Sequence, residues 1–147
     1  MLCCSLLYTN YHYRSPKNTS DVNLQANFGS FLETVKLARE QLGERAVPIV
    51  LGPITLLRLS RLETDFDEIL AKLLPLYSSL LTELQGLGVA EVQLHEPALV
   101  MSEASNLREH FQKAYAQLAS AELPINLVTH FDDLGETYIY LSKTHAL

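Results

Sequence analysis

Four side chains of this sequence have the types that carry out metal or proton chemistry: His95, Glu96, His130 and Asp132. They follow two predicted strands directly, and neighbouring strand ends would bring two imidazoles and a carboxylate within reach of one divalent ion. His95 and Glu96 also have the groups required for general acid–base catalysis. Both hypotheses compete with a structural one, which we favour. Histidines at strand ends commonly form only hydrogen bonds, and no nucleophile or cofactor motif lies nearby.

Three polar positions have a local structural interpretation. Aspartate favours the position before a helix, so Asp132 and Asp133 are predicted as turn or N-cap residues of a helix that begins near Leu134. Asn10 matches a side chain that bonds its own backbone in a turn. The residue types alone therefore assign a function to none of these three positions.

Short apolar segments precede the polar residues and are predicted as strands. Residues 89–94 lead into His95, and residues 125–129 lead into His130. Residues 46–51 form an apolar run with β-branched residues that Gly52-Pro53 closes, which predicts a strand buried on both faces. Residues 3–8 are a possible earlier strand.

Three amphipathic helices are predicted between these strands because apolar residues recur at steps of three and four. The first covers residues 28–42 and ends near Gly43. The second runs from about Asp65 to residue 87, with Asp65 and Glu68 resembling a capping box and Pro75 expected to kink it. The third runs from about residue 102 or 105 to 120, and the polar residues 15–27 are predicted as a loop.

Strands that alternate with crossover helices predict an α/β fold with a parallel sheet covered by helices. About four strands are half of a (β/α)8 TIM barrel, whose usual size is ~250 residues, so the fold expected is a partial barrel. An open doubly wound sheet is the alternative, but its glycine-rich phosphate loop is missing. Either fold places ligands at the carboxyl ends of strands, here residues 9–13, 52–55, 95–97 and 129–133.

Bulk properties exclude several classes of protein. The 147 residues carry a net charge of -6, which gives no electrostatic reason to expect nucleic acid or an anionic membrane as a partner. The two cysteines, Cys3 and Cys4, are adjacent and form neither a disulfide framework nor a spaced metal clamp. No basic leader or long apolar run is present, so we expect a cytoplasmic protein.

Several motifs resemble, in order and spacing, the N-terminal barrel of cobalamin-independent methionine synthase. The resemblance covers residues 8 to about 140, which predicts one unit over residues 1–147, a partial N-terminal barrel with no second domain. The motifs are Thr-Asn-Tyr-His-Tyr (9–13), Leu-Gly-Pro-Ile-Thr (51–55), Leu-Leu-Pro-Leu-Tyr (73–77), Val-Gln-Leu-His-Glu-Pro-Ala-Leu-Val (92–100) and Thr-His-Phe-Asp-Asp (129–133).

The resemblance implies a methyltransferase that moves a methyl group from 5-methyltetrahydropteroyltri-L-glutamate to homocysteine, in methionine biosynthesis. It implies that zinc and homocysteine bind the other, C-terminal barrel, so no metal is expected on this chain. Asn10 occupies the motif position associated with the folate's glutamate tail. It is carried over as a substrate-binding residue, and no residue is carried over as catalytic.

The sequence departs from the family pattern at two strand ends, where His95 replaces an aspartate and His130 replaces a tyrosine. The chain also lacks further barrel strands and a basic folate-binding segment, and both of its edges resemble cut ends. We therefore expect the fragment alone to be inactive. The alternatives are a stand-alone, non-catalytic module that binds a folate or a protein, and a truncated copy without function.

Overall fold

The structure is a computed structural model that describes residues 2–5, 12–101, 104–135 and 138. Strands and helices alternate along most of this length, as expected for an α/β chain. The strands are β1 (Leu2–Ser5), β2 (His12–Ser15), β3 (Lys17–Asn18), β4 (Ile49–Leu51), β5 (Arg61–Leu62), β6 (Val92–His95) and β7 (Ile125–Val128). The helices are α1 (Gly29–Leu42), α2 (Pro53–Arg58), α3 (Phe66–Gly86) and α4 (Ala104–Leu118), with 3-10 turns at Gly43–Arg45 and Pro97–Val100.

The central sheet has three parallel strands in the order β4-β6-β7. Leu51 lies beside His95, and His95 lies beside Val128. The ladder continues one residue further, because Gly52 N–H donates to the His95 carbonyl at 2.8 Å and Glu96 N–H donates to the Val128 carbonyl at 2.8 Å. The carboxyl ends of all three strands therefore meet at one edge, as the sequence predicts.

The first part of the chain differs from the prediction. β1 is a strand, but it pairs antiparallel with β2 and lies outside the central sheet. The described residues thus contain a three-stranded parallel sheet, and a fourth parallel strand is not confirmed. The predicted loop over residues 15–27 also contains β3, which pairs in parallel with β5.

Strand β4 was predicted to be buried on both faces, and this is wrong. Ile49 and Leu51 are 58% and 37% exposed, whereas Val50 packs against the core. Alternate residues of a strand point to opposite faces, so only one face of β4 meets the helices. Within the described ranges, the other face of the sheet is left partly uncovered.

The core lies between the helices and the covered face of the sheet. Val92 and Leu94 of β6 have no exposed surface, while Gln93 and His95 point the other way and are half-buried. Apolar residues at helical spacing from α3 and α4 complete this core, as their periodicity predicts. Of the helices described, none has the length and apolar character needed to cross a membrane.

Helix α3 begins as predicted, with Asp65 as its N-cap and Pro75 inside the helix. One Asp65 carboxylate oxygen accepts hydrogen bonds from the N–H groups of Asp67 (2.8 Å) and Glu68 (3.3 Å). The return bond of a capping box is replaced, since the Glu68 carboxylate instead accepts from Thr64 and Lys72.

We expect Asp65→Ala to lower the free energy of unfolding by about 1 kcal/mol, the usual cost of losing an N-cap acceptor. Urea denaturation monitored by circular dichroism measures this loss. Glu83→Ala, at an exposed position of the same helix, is the matched control and should change stability little. Equal losses in the two variants would contradict the capping role.

Candidate functional site

The carboxyl edge of the sheet brings together the polar residues that the sequence singled out. His95 and Glu96 follow β6, and His130 follows β7. Because consecutive residues alternate between the two faces, His95 lies on the partly uncovered face and Glu96 lies on the helix-covered face. The edge therefore has two chemically different sides.

Glu96 is fully buried and accepts hydrogen bonds from four donors. Its Oε1 accepts from Ile54 N–H at 3.1 Å and from the Tyr115 hydroxyl at 3.0 Å. Its Oε2 accepts from Thr55 N–H at 2.7 Å and from the Thr55 hydroxyl at 2.6 Å. Buried carboxylates are stable only when their oxygens are paired in this way.

Helix α2 supplies three of these four donors. Two of them are backbone N–H groups, which are available because the first N–H groups of a helix have no partner within it. Pro53 starts the helix immediately after β4, and Gly52 is the N-cap residue. A Cβ atom at Gly52 would lie 2.2 Å from Cδ of Glu96. Only glycine therefore allows the strand end to approach the carboxylate so closely.

The hydrogen bonds continue beyond Glu96 into neighbouring elements. The Thr55 hydroxyl oxygen accepts from Ala98 N–H at 3.1 Å, which joins α2 to the turn after β6. The Tyr77 hydroxyl of α3 donates to the Leu51 carbonyl at 2.6 Å, which joins α3 to β4. With Tyr115 from α4, this network connects three helices to the strand ends.

Burial dominates the electrostatics of this network. It raises the pKa of Glu96 to about 7, while the bonds from Thr55, Ile54 and Tyr115 act in the opposite direction. Burial and the nearby Glu96 carboxylate also raise the pKa of the Tyr77 and Tyr115 hydroxyls, which keeps both protonated as donors. The Glu96 carboxyl group has no exposed surface, and its hydrogen bonds connect it to α2 and α4.

The uncovered side of the edge contains a pair of histidines. The ring centroids of His95 and His130 are 5.5 Å apart with the planes inclined at 63°, and His130 also contacts Phe131 at 4.4 Å. Nε2 of His95 is 3.4 Å from the Oε1 atom of Gln93. Burial and the neighbouring His130 lower the pKa of His95, which favours the neutral form of its ring.

The structure thus assembles only part of the predicted sites. It brings His95 and His130 together, but Glu96 points to the other face, so neither the four-residue metal site nor the His95–Glu96 acid–base pair is formed. Asp132 is exposed, and its Oδ1 accepts from Asp133 N–H. Across the described ranges, no group of three or more His, Cys, Asp or Glu residues is placed to hold a metal ion.

Two other sequence predictions have different outcomes. Asp133 accepts from Gly135 N–H at 2.6 Å, which agrees with the predicted turn, whereas most residues of the helix that it was predicted to cap lie outside the described ranges. Asn10 lies outside the described residues, so its assignment remains a prediction from the resemblance.

Sequence reasoning missed the partners of Glu96, although the sequence contains signals for them. Pro53 directly after Gly52 is typical of the first position of a helix and would have predicted α2. Tyr115 lies on the apolar face of the third predicted helix, four residues after Phe111, and a buried tyrosine hydroxyl usually requires a hydrogen-bond partner. What the sequence lacks is any local indication that this partner is Glu96.

The chain is an α/β chain, because parallel strands alternate with helices and polar residues follow the strand ends. In folds of this class, ligands usually bind at the carboxyl edge of the sheet. Residues 5–146 match the family described as "Cobalamin-independent synthase, N-terminal domain". The chain belongs to this family, in agreement with the resemblance found from the motifs.

Curated relatives agree with this assignment. A protein of Trichodesmium erythraeum (strain IMS101) is 59% identical over 136 residues, which are 92% of this chain and 18% of the relative. A Synechococcus sp. (strain JA-2-3B'a(2-13)) protein is 54% identical over 88% of the chain and 17% of its own length. A Thermosynechococcus vestitus protein is 52% identical over 92% of the chain and 18% of its own length. All three are named 5-methyltetrahydropteroyltriglutamate–homocysteine methyltransferase, and this chain spans less than a fifth of their length.

Proposed function

We propose that this chain is a partial N-terminal barrel of a cobalamin-independent methionine synthase. In that enzyme a methyl group passes from 5-methyltetrahydropteroyltriglutamate to homocysteine. The chain contributes scaffold and, through Asn10, a contact to the glutamate tail of the folate. The observation that carries this proposal is the family match over residues 5–146 together with the names of the three relatives.

The exposed face of the sheet supports the barrel. In a (β/α)8 barrel, alternate residues of each strand point inward and fill the interior in layers. Ile49 and Leu51 are large apolar side chains that point away from the helices and are exposed. Gln93, His95 and Val128 share this face by the strand register. Further strands closing the sheet on itself would bury Ile49 and Leu51.

The methyl transfer itself is assigned to parts of the enzyme other than this chain. The homocysteine thiol needs activation to a thiolate, a role that zinc performs with thiolate, imidazole and carboxylate ligands. The described residues offer no such set of three ligands, so they do not fit the zinc of the family. We accordingly assign no catalytic residue here, and place the protein in the cytoplasm with its substrates.

A binding experiment tests the contact with the folate tail. Isothermal titration of the purified chain with methyltetrahydropteroyltriglutamate should give saturable binding, and Asn10→Ala should weaken it roughly tenfold, the effect of losing one hydrogen bond to a charged group. Asn23→Ala, at an exposed loop position, is the matched control and should bind as the unchanged chain does. The monoglutamate should bind the unchanged chain more weakly than the triglutamate does.

A transplant experiment separates the enzyme from the two alternatives. The matching 136 residues of the Trichodesmium relative are replaced by those of this chain, and methyl transfer to homocysteine is measured. Retained activity supports a barrel segment of the enzyme. Loss of activity with folate binding intact would favour a stand-alone module, and loss of both together with no cooperative melting would favour a copy without function.

A further inference from the structure

The two rings of the histidine pair on the uncovered side of the sheet edge are about as far apart as two imidazoles that bind the same metal ion. Imidazole nitrogens bind a metal ion at about 2.1 Å. When two imidazoles bind one ion with a tetrahedral nitrogen–metal–nitrogen angle, their ring centres are roughly 5 Å apart. The centroids of His95 and His130 are 5.5 Å apart, with inclined planes, before any ion is added. The distance between the two rings therefore allows both to coordinate one ion.

The backbone positions the two rings on the same side of the sheet. His95 is the last residue of β6, and its neighbour across the ladder is Val128 of β7. His130 follows Val128 by two residues, and side chains two residues apart in an extended chain point to the same face. Both side chains are half-buried, so an ion can reach them from solvent without unfolding the edge.

The hydrogen bonding of His95 suits a metal ligand. Only an unprotonated imidazole nitrogen can bind a metal. The Gln93 amide oxygen, 3.4 Å from Nε2 of His95, can accept the proton on that nitrogen. The lone pair that can bind a metal is then on Nδ1. In metal sites, a hydrogen-bond acceptor such as this amide oxygen commonly orients the ligand histidine in the same way.

We propose that His95 and His130 form a two-imidazole binding site for a divalent transition-metal ion. In the described part of the chain no third side-chain ligand is placed to join them, so the remaining coordination positions are filled by water or by a donor atom of a bound molecule. Imidazole ligands favour copper, nickel and zinc, and the expected order of affinity is Cu(II) above both Ni(II) and Zn(II). This site is independent of the proposed folate contact, because it uses neither Asn10 nor the folate.

Calorimetric titration with Cu(II) and Ni(II) tests the site. The Cys3 and Cys4 thiols would bind the same ions, so all measurements use a Cys3→Ser, Cys4→Ser background. His95→Ala and His130→Ala should each weaken metal binding about tenfold or more. The double variant should bind within about twofold of the weaker single variant, because the two rings act as one site. His110→Ala is the matched control, since His110 of α4 is bonded to Asp67 of α3 and contributes to neither ring of the pair, and it should leave the affinity unchanged.

Proton NMR on the Cys3→Ser, Cys4→Ser background tests the site without any histidine substitution, so the result does not depend on whether a histidine variant folds. Sub-stoichiometric Cu(II) should broaden the ring signals of His95 and His130 before those of the other three histidines. Broadening confined to His12, His110 or His145 would overturn the proposal. So would unchanged affinity in either alanine variant that retains the melting temperature of the background chain.

Discussion

Gly52→Ala is expected to lower the free energy of unfolding by roughly 3 kcal/mol or more, or to abolish cooperative folding, because overpacking a rigid buried site is among the most costly substitutions. The added Cβ would lie 2.2 Å from both Cδ and Oε1 of Glu96. The carboxylate cannot move away without losing its bonds to α2 and Tyr115. The main chain cannot move either, since Gly52 N–H is bonded to the His95 carbonyl.

Thermal melting followed by circular dichroism, with urea denaturation, measures this effect. Gly86→Ala is the matched control, because its added Cβ meets nothing within 4 Å and it ends helix α3. Alanine at that position should be neutral or stabilising by up to about 1 kcal/mol. A Gly52→Ala chain that melts at the temperature of the unchanged protein would refute the close approach of the strand end to Glu96.

Glu96→Ala is the second substitution with a large expected effect. It removes the acceptor for the Ile54 and Thr55 N–H groups and for the Thr55 and Tyr115 hydroxyls, and it opens a cavity among them. Unpaired buried donors cost about 1 to 3 kcal/mol each, and partial relaxation or entry of water reduces the sum. We expect a loss of roughly 4 kcal/mol by urea denaturation, whereas Glu109→Ala, exposed on α4, should change stability by less than about 0.5 kcal/mol.

The pH dependence of stability follows from the same buried carboxyl group. The pKa of Glu96 rises from an ordinary value of 4.5 to about 7 in the folded chain. A raised pKa means that the folded state holds the proton more tightly than the unfolded state does. The associated stability is present below pH 4.5 and is lost as the pH rises through about 7, by roughly 3 kcal/mol at most.

Urea unfolding at a series of pH values from 5 to 8 checks this component. The free energy of unfolding of the unchanged chain should fall across this interval relative to that of Glu96→Ala, which lacks the titrating group. Parallel curves for the two chains would show that the carboxyl group titrates near its ordinary value in the folded state. In that event the four donors outweigh the cost of burial.

The histidines show how sequence and tertiary structure divide the information about the candidate site. The sequence identified His95 and His130 separately, as two departures from the family pattern at two strand ends. It grouped Glu96 and Asp132 with them, because all four have ligand-type side chains. The strand register decides between these groupings, since it puts the two rings in contact and turns Glu96 to the opposite face.

The sequence alone determined the local elements and the family. Helices α1, α3 and α4, the Asp65 cap and the strands around positions 50, 93 and 126 follow from periodicity, capping and turn residues within a few positions of each other. Tertiary structure alone decided that β1 pairs antiparallel with β2, that Ile49 and Leu51 are exposed, and that Glu96 is an internal anchor. The reason is physical: strand pairing, burial and the partner of a buried carboxylate depend on groups distant in the chain, which short-range patterns do not encode.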